Sequence, residues 1–251
     1  MKKLILTALL LTLAGLPLAA LAQGGGEEAE PQFVMATYYY CEQDEEADAD
    51  EAFAKGYAPV LAAAVEAGTI ENWGWMAHRL GGKWRRVWFF GATGAGNTMD
   101  AADKIYADLA EAIGDDDALT DACPTHDDYL WETGGGNASD ERGATAFSIY
   151  YDCDSSREAR ADEIVSANLA PVMNDLIENG NIASWGWLKH HVGGKYRRLL
   201  TVTGASHKAT LQARDYVVDV FYAEGNAAGA EFDGICSKHS DYMWDNQLPT
   251  G

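Results

Sequence analysis

Trp73-Gly74-Trp75-Met76-Ala77-His78-Arg79-Leu80-Gly81-Gly82-Lys83-Trp84-Arg85-Arg86 decides the architecture of this chain, because it returns as Trp185-Gly186-Trp187-Leu188-Lys189-His190-His191-Val192-Gly193-Gly194-Lys195-Tyr196-Arg197-Arg198. The offset of 112 residues between the two stretches also separates Cys41 from Cys153, so a whole unit is duplicated rather than a short motif. Gly81-Gly82 and Gly193-Gly194 tolerate positive φ at both centres of a two-residue hairpin turn. Such a turn pairs Arg79 with Trp84, His78 with Arg85, Ala77 with Arg86, Met76 with Val87 and Trp75 with Trp88.

Alternation then places Gly74, Met76, His78, Arg85, Val87 and Phe89 on one face of the hairpin. Trp73, Trp75, Arg79, Trp84, Arg86, Trp88 and Phe90 fall on the other. In the second copy His190 opposes Arg197, while Trp185, Trp187, His191, Tyr196 and Arg198 share the opposite face. Neither face is polar throughout, so both are expected to be covered, one by helices and one by a facing sheet. Which of them looks inward is left open by the sequence.

Outward from the hairpins, β-branched and aromatic residues up to Cys41 and Cys153 read as first strands. Apolar residues spaced by three and four, among them Phe53, Tyr57, Val60, Leu61 and Val65, predict a helix ended by Gly68, with Gly180 as its counterpart. Pro59 and Pro171 are expected to kink these helices or delay their start. A second helix is predicted over 98–113 and over 210–223, and each copy closes on a short strand after Cys123 or Cys236. Each unit thus reads as βαββαβ, the order of a ferredoxin-like fold. Four cysteines allow three pairings, and the duplication together with this topology selects Cys41–Cys123 and Cys153–Cys236, since the first strand then ends beside the start of the last.

Two such units in tandem resemble the dimeric α+β barrel superfamily, on element order, duplication and the glycine, isoleucine, tryptophan-strand pattern. The resemblance implies an α+β fold of two ferredoxin-like repeats, each with its own sheet, packed face to face as a pseudo-dimeric barrel. The superfamily includes monooxygenases and haem-dependent enzymes, but no catalytic signature of theirs can be matched here residue by residue. The expected organisation is a signal peptide over 1–22, a flexible leader over 23–32, repeats over 33–132 and 146–248, and a linker over 133–145.

Met1-Lys2-Lys3, an apolar run to Leu21 and the small-residue site Ala20-Leu21-Ala22 point to export, to a secreted or periplasmic location, with no membrane association after cleavage. The whole chain carries a formal charge of −21. Nucleic acid is therefore not an expected partner, because a phosphate-binding surface would have to be basic. A monomer with an internal pseudo-dimer, or a higher oligomer, is expected.

Candidate site residues follow from the hairpins. Trp73, Trp75 and Arg86, with Trp185, Trp187 and Arg198, form a face suited to a small apolar or anionic molecule held between two sheets, since arginine pairs with carboxylates and stacks on rings. His78 and His190 are the candidates for catalysis in an alternative reading as an oxidoreductase or monooxygenase-like enzyme, a cross-strand arginine favouring the neutral ring. No metal site is expected: His126 and His239 follow cysteines at C-x-x-H spacing, but those cysteines are committed to disulfides. Haem remains an alternative cofactor through the resemblance, and a structural or interaction module is the third reading. Mass spectrometry of unreduced peptides is expected to recover Cys41 joined to Cys123 and Cys153 joined to Cys236; a peptide linking the two copies would overturn the topology.

Overall fold

The computed structural model describes residues 30–114, 117–139 and 143–249; the expected signal peptide 1–22 and most of the leader lie outside the described residues. The first repeat runs β1 (Gln32–Tyr40), α1 (Glu46–Ala52), a π-helical turn (Phe53–Tyr57), α2 (Ala58–Glu66), β2 (Asn72–Gly81), β3 (Arg86–Thr93), α3 (Ala95–Ile113), α4 (Ala118–Ala122) and β4 (Thr125–Ala138). The second runs β5 (Thr145–Asp152), α5 (Glu158–Ile164), a π-helical turn (Val165–Leu169), α6 (Ala170–Glu178), β6 (Ser184–Gly193), β7 (Arg198–Gly204), α7 (His207–Phe221), α8 (Ala227–Ile235) and β8 (Lys238–Leu248).

Local chemistry explains these elements. Proline lacks an N–H and its ring crowds the carbonyl four residues back, so the backbone widens into a π turn just before Pro59 and Pro171, which then sit in the first turn of α2 and α6. Gly68 and Gly180 take φ of 70° and 69° and end the helices as expected. The short helices α4 and α8 have no counterpart among the sequence expectations. Asp117 and Asn226 start them by accepting from the backbone N–H groups of the first turn. The two disulfides are Cys41–Cys123 and Cys153–Cys236.

The sheet corrects the expected fold class. Two ferredoxin-like repeats with separate sheets stacked face to face are not what forms. All strands belong to one closed antiparallel barrel in the order β1-β3-β2-β8-β5-β7-β6-β4. The reason lies in the last strands, which are longer than expected. Residues 133–138, read from their glycines as linker, are the second half of β4, and they pair with β6 of the other repeat while the first half pairs with β1. Likewise β8 lies between β5 and β2. Each repeat therefore ends on a strand that belongs to both halves, and no edge is left free.

The hairpin register holds where the strands pair: Ala77 opposes Arg86, Met76 opposes Val87 and Trp75 opposes Trp88. His78 N donates to Arg85 O at 2.9 Å, one step nearer the turn. Beyond that point β2 leaves β3 and continues along β8 through a bulge, with Gly81 opposite Tyr242. Residues 82–85 lie outside the ladder, so strict alternation ends there. Trp84 and Tyr196, expected with Trp75 and Trp187, instead join the cluster inside the barrel.

The glycine pairs serve this crossing. Gly81 has φ of +126°, and a Cβ on it would stand 2.4 Å from the Asp241 carbonyl oxygen; Gly193, at +119°, would meet the Asp128 carbonyl oxygen at 2.2 Å. A Cβ at Gly82 or Gly194 would meet the hydroxyl of Tyr242 or Tyr129 at 2.2 or 2.1 Å. Each Gly-Gly therefore admits a tyrosine from the other repeat, and Tyr242 Oη accepts from Lys83 N at 3.0 Å.

Gly81→Ala is expected to lower stability by about 1–3 kcal/mol through overpacking, with positive φ adding to the cost. Gly96→Ala, in α3 with open space around it, is expected to be neutral or stabilising. Urea denaturation of both variants checks this, and equal midpoints would show that the crossing is not tight.

Candidate functional site

The closed sheet has two faces with different chemistry. Toward the helices, Trp75, Trp88 and Phe90 pack with Phe53, Leu61 and Ile105, and the second repeat builds a matching layer. Phe53 stacks on Trp75 with centroids 4.0 Å apart. Arg86, only 4 % exposed, lies in this layer, and its guanidinium is spent. It donates to both carboxylate oxygens of Asp50 at 2.7 Å and to Glu46 Oε2 at 3.1 Å. Trp75 Nε1 donates to the same Asp50 Oδ1 at 2.8 Å. Arg198 repeats the arrangement with Asp162, at 2.7 and 2.8 Å, and with Glu158 at 3.0 Å, while Trp187 Nε1 donates to Asp162.

Sequence reasoning missed Glu46, Asp50, Glu158 and Asp162. Their signal was available: two acids one helical turn apart, on the helix preceding the hairpin, recur at the same offset as the Arg-Arg pairs they bind.

His78 and His190 lie at the turn end of the hairpins. Arg85 Nη1 is 2.7 Å from His78 Nδ1, and Arg197 Nη1 is 2.8 Å from His190 Nδ1. A guanidinium only donates, so each Nδ1 accepts and the ring is the neutral Nε2–H tautomer. His190 Nε2 donates to Gly193 O at 3.0 Å, tying the imidazole to its own turn. Burial, reinforced by the charge on Arg85, lowers the pKa of His78. Neither ring borders the interior cavity described below.

Inside the barrel the two ends differ. At the hairpin end, Tyr38 stacks on Trp84 at 4.3 Å, Trp84 on Tyr242 at 5.1 Å and Tyr242 on Trp244 at 5.1 Å. Tyr129 stacks on Trp131 at 4.7 Å, and Tyr150 and Tyr196 complete an aromatic plug. Burial raises Tyr38 and Tyr150 well above the usual phenol range, so both stay protonated.

Above the plug the barrel holds a cavity of about 960 Å³, lined by all eight strands. Its walls include Val34, Ala36, Val87 and Phe89 from the first repeat and Ser148, Leu199, Thr201 and Thr203 from the second. Trp73 and Trp185 reach it from the expected ligand-binding set, whereas Trp75, Trp187, Arg86 and Arg198 do not. Among the described residues no lysine, arginine, histidine, aspartate or glutamate lines it.

A second space of about 250 Å³ lies in the second repeat, under α7 and α8. Leu169, Leu200, Val202 and Val218 border it where the first repeat carries the larger Tyr57, Trp88, Phe90 and Tyr106.

Among the described residues no group of three or more His, Cys, Asp or Glu side chains could hold a metal ion. The interior cavity does not fit haem with an imidazole or thiolate ligand, since among the described residues no histidine or cysteine lines it and its tyrosines resist forming phenolate.

No protein-family model and no curated sequence matches the chain. Solved structures do. A provisionally described monooxygenase from Lactobacillus acidophilus NCFM aligns with TM-score 0.56 at 8% identity, over 86% of this chain and 94% of its own. A chlorite dismutase from Candidatus Nitrospira defluvii gives 0.56 at 8% identity, over 87% and 91%. An anthrone oxidase-like protein gives 0.53 at 12%, over 88% and 92%. These neighbours belong to the dimeric α+β barrel superfamily, and at such identities the likeness is one of fold.

The buried ion pairs make stability depend on acid. Burial opposes ionisation of Glu46, but hydrogen bonds from Arg85 and Arg86 outweigh it and hold the carboxyl below its ordinary range. The folded state therefore releases this proton more readily than the unfolded state. The resulting stability is complete above the unfolded value of about 4.3 and is lost as pH falls through the folded one. Glu46→Gln is expected to destabilise the protein by roughly 1.5–3 kcal/mol at pH 7. The gap from the parent should narrow below about pH 4 in urea titrations. A gap independent of pH would show that the Arg85–Glu46–Arg86 contacts do not stabilise the fold through charge.

Proposed function

We propose that this is an exported protein, secreted or periplasmic, that binds one small, uncharged, largely apolar molecule inside the barrel. The observation that carries this reading is the 960 Å³ interior cavity, a volume in the range of small-molecule sites, walled by apolar and neutral polar side chains. The apolar N-terminal run and two disulfides support export. No helix among the described residues is long and apolar enough to cross a membrane.

An anionic ligand is less well served. Among the described residues the cavity lining holds no cation, Arg86 and Arg198 are saturated by carboxylates, and the chain's charge of −21 repels anions at a distance. Within the ligand-binding set the proposal therefore rests on Trp73 and Trp185, which border the cavity while their rings pack in the helix-side layers. The oxidoreductase reading through His78 or His190 is not supported by the interior cavity, which neither imidazole borders, and a purely structural module would have no need of an unfilled interior.

Thermal unfolding in the presence of a panel of neutral aromatic and aliphatic compounds tests the proposal. A ligand at about 100 times its Kd is expected to add about 2.7 kcal/mol of stability. Ala36→Phe, which places a ring in the cavity, is expected to abolish the shift while leaving a cooperative transition. No shift with any compound, or a shift unchanged in that variant, would overturn the proposal.

A further inference from the structure

The two copies diverge at equivalent positions of the cavity wall. Ala36, Phe89 and Gly91 of the first repeat correspond, at the common offset, to Ser148, Thr201 and Thr203 of the second. The strands β1 and β3 thus present Ala36 and Phe89 to the interior, with Val34 and Val87 beside them, and among their described lining residues the one hydroxyl is that of Tyr38, down at the aromatic plug. Opposite them, β5 and β7 present the hydroxyls of Ser148, Thr201 and Thr203. Thr203 Oγ1 is already engaged with Ser184 Oγ at 2.6 Å. Gly186 keeps the space in front of Thr201 clear, since a Cβ there would stand 2.9 Å from Thr201 Oγ1. Ser148 is 1 % exposed and Phe89 is partly exposed, so the polar group is deep and the apolar ring looks into open volume.

An interior wall of hydroxyls facing an apolar wall discriminates between ligands by direction. The Ser148 hydroxyl is buried against the Tyr150 phenol, whereas Thr201 is part-exposed, so a hydrocarbon entering this space strips water from Thr201 without replacing its hydrogen bonds and offers Ser148 nothing, which costs affinity. A molecule with one hydroxyl or carbonyl on an otherwise apolar frame replaces them and still covers Phe89 and Val87.

We propose that the barrel selects neutral amphipathic molecules of the phenol or alcohol class, oriented with the hydroxyl toward Ser148 and Thr201 and the apolar edge toward Phe89 and Val87. This rests on the reading of the interior as a ligand site.

Three matched probes test it on the full exported chain: naphthalene, 2-naphthol and 2-naphthoate, each titrated while following tryptophan fluorescence and Tm. The expected order is 2-naphthol tightest, naphthalene roughly tenfold weaker and 2-naphthoate weakest, the tenfold figure corresponding to about 1.4 kcal/mol. The Ser148→Ala, Thr201→Val double variant keeps the shape of the wall and is expected to erase the preference for naphthol while retaining naphthalene. Phe89→Thr is expected to weaken both neutral probes.

Equal binding of naphthol and naphthalene by the parent, or a preference that survives in the double variant, overturns the assignment of orientation and leaves the cavity as a ligand site. Failure of all three probes to bind the parent overturns both. Should the double variant fold poorly, each single substitution at Ser148 or Thr201 is expected to lower the naphthol preference by part of the full effect, and an unchanged ratio in both overturns the proposal.

Discussion

A strand at the edge of a sheet exposes a row of unpaired N–H and C=O groups, and each half of this molecule would carry two such edges. In the first repeat the strands run β4-β1-β3-β2, which leaves β4 and β2 unpaired on their outer sides; in the second, β8 and β6 stand in the same position. These four edges satisfy one another. The pairings β2–β8 and β4–β6 close the barrel, and the interior, the plug and the cavity exist because of them. The glycine pairs at 81–82 and 193–194 belong to the same constraint, because only a residue without a Cβ lets the neighbouring repeat's tyrosine approach so closely.

Closure sorts the side chains into two environments. Outside, an arginine buried beneath α1 or α5 is held by two acids from that helix and shares one of them with a tryptophan indole, so the helix is fixed on the sheet by charge as well as by apolar contact. Such a pair gives position and register more than net stability, since desolvation offsets much of the attraction. Inside, no charged side chain among the described residues borders the cavity, and the aromatic plug fills one end only. The same duplication that supplies two copies of the outer network allows the inner walls to diverge. The outer residues cannot drift without losing their partners, whereas an interior position bordering open space carries no such restriction.

The sequence showed its regular features through short-range chemistry. Register around Trp75 and Met76, the helix-ending Gly68 and Gly180, and both disulfides follow from local rules and the offset of 112. What it concealed depends on distant partners. Residues 133–138 are glycine-rich and read as linker, yet β6 recruits them into a strand because its own edge requires pairing. Trp84 and Tyr196 break the alternation because the ladder stops before them and their rings turn inward. The hairpin pattern also could not say which face looks inward. Trp73 and Trp185 reach the cavity, but β4 lends it more residues than any other strand, and the inward residues of β1, β3, β5 and β7 look ordinary until the barrel is closed.

Hydrogen exchange under native conditions, read by NMR in the limit where opening is fast, tests the closure most directly. If the barrel is one structure, amides at the seams, in Glu132 and Lys189 of β4–β6 and in Ala77 and Asp245 of β2–β8, are protected by the same free energy as those of β1 and β3, and all respond equally to low urea. Seam amides that exchange through a smaller opening, while β1–β3 and β5–β7 remain protected, would show two independently folded halves and contradict the account.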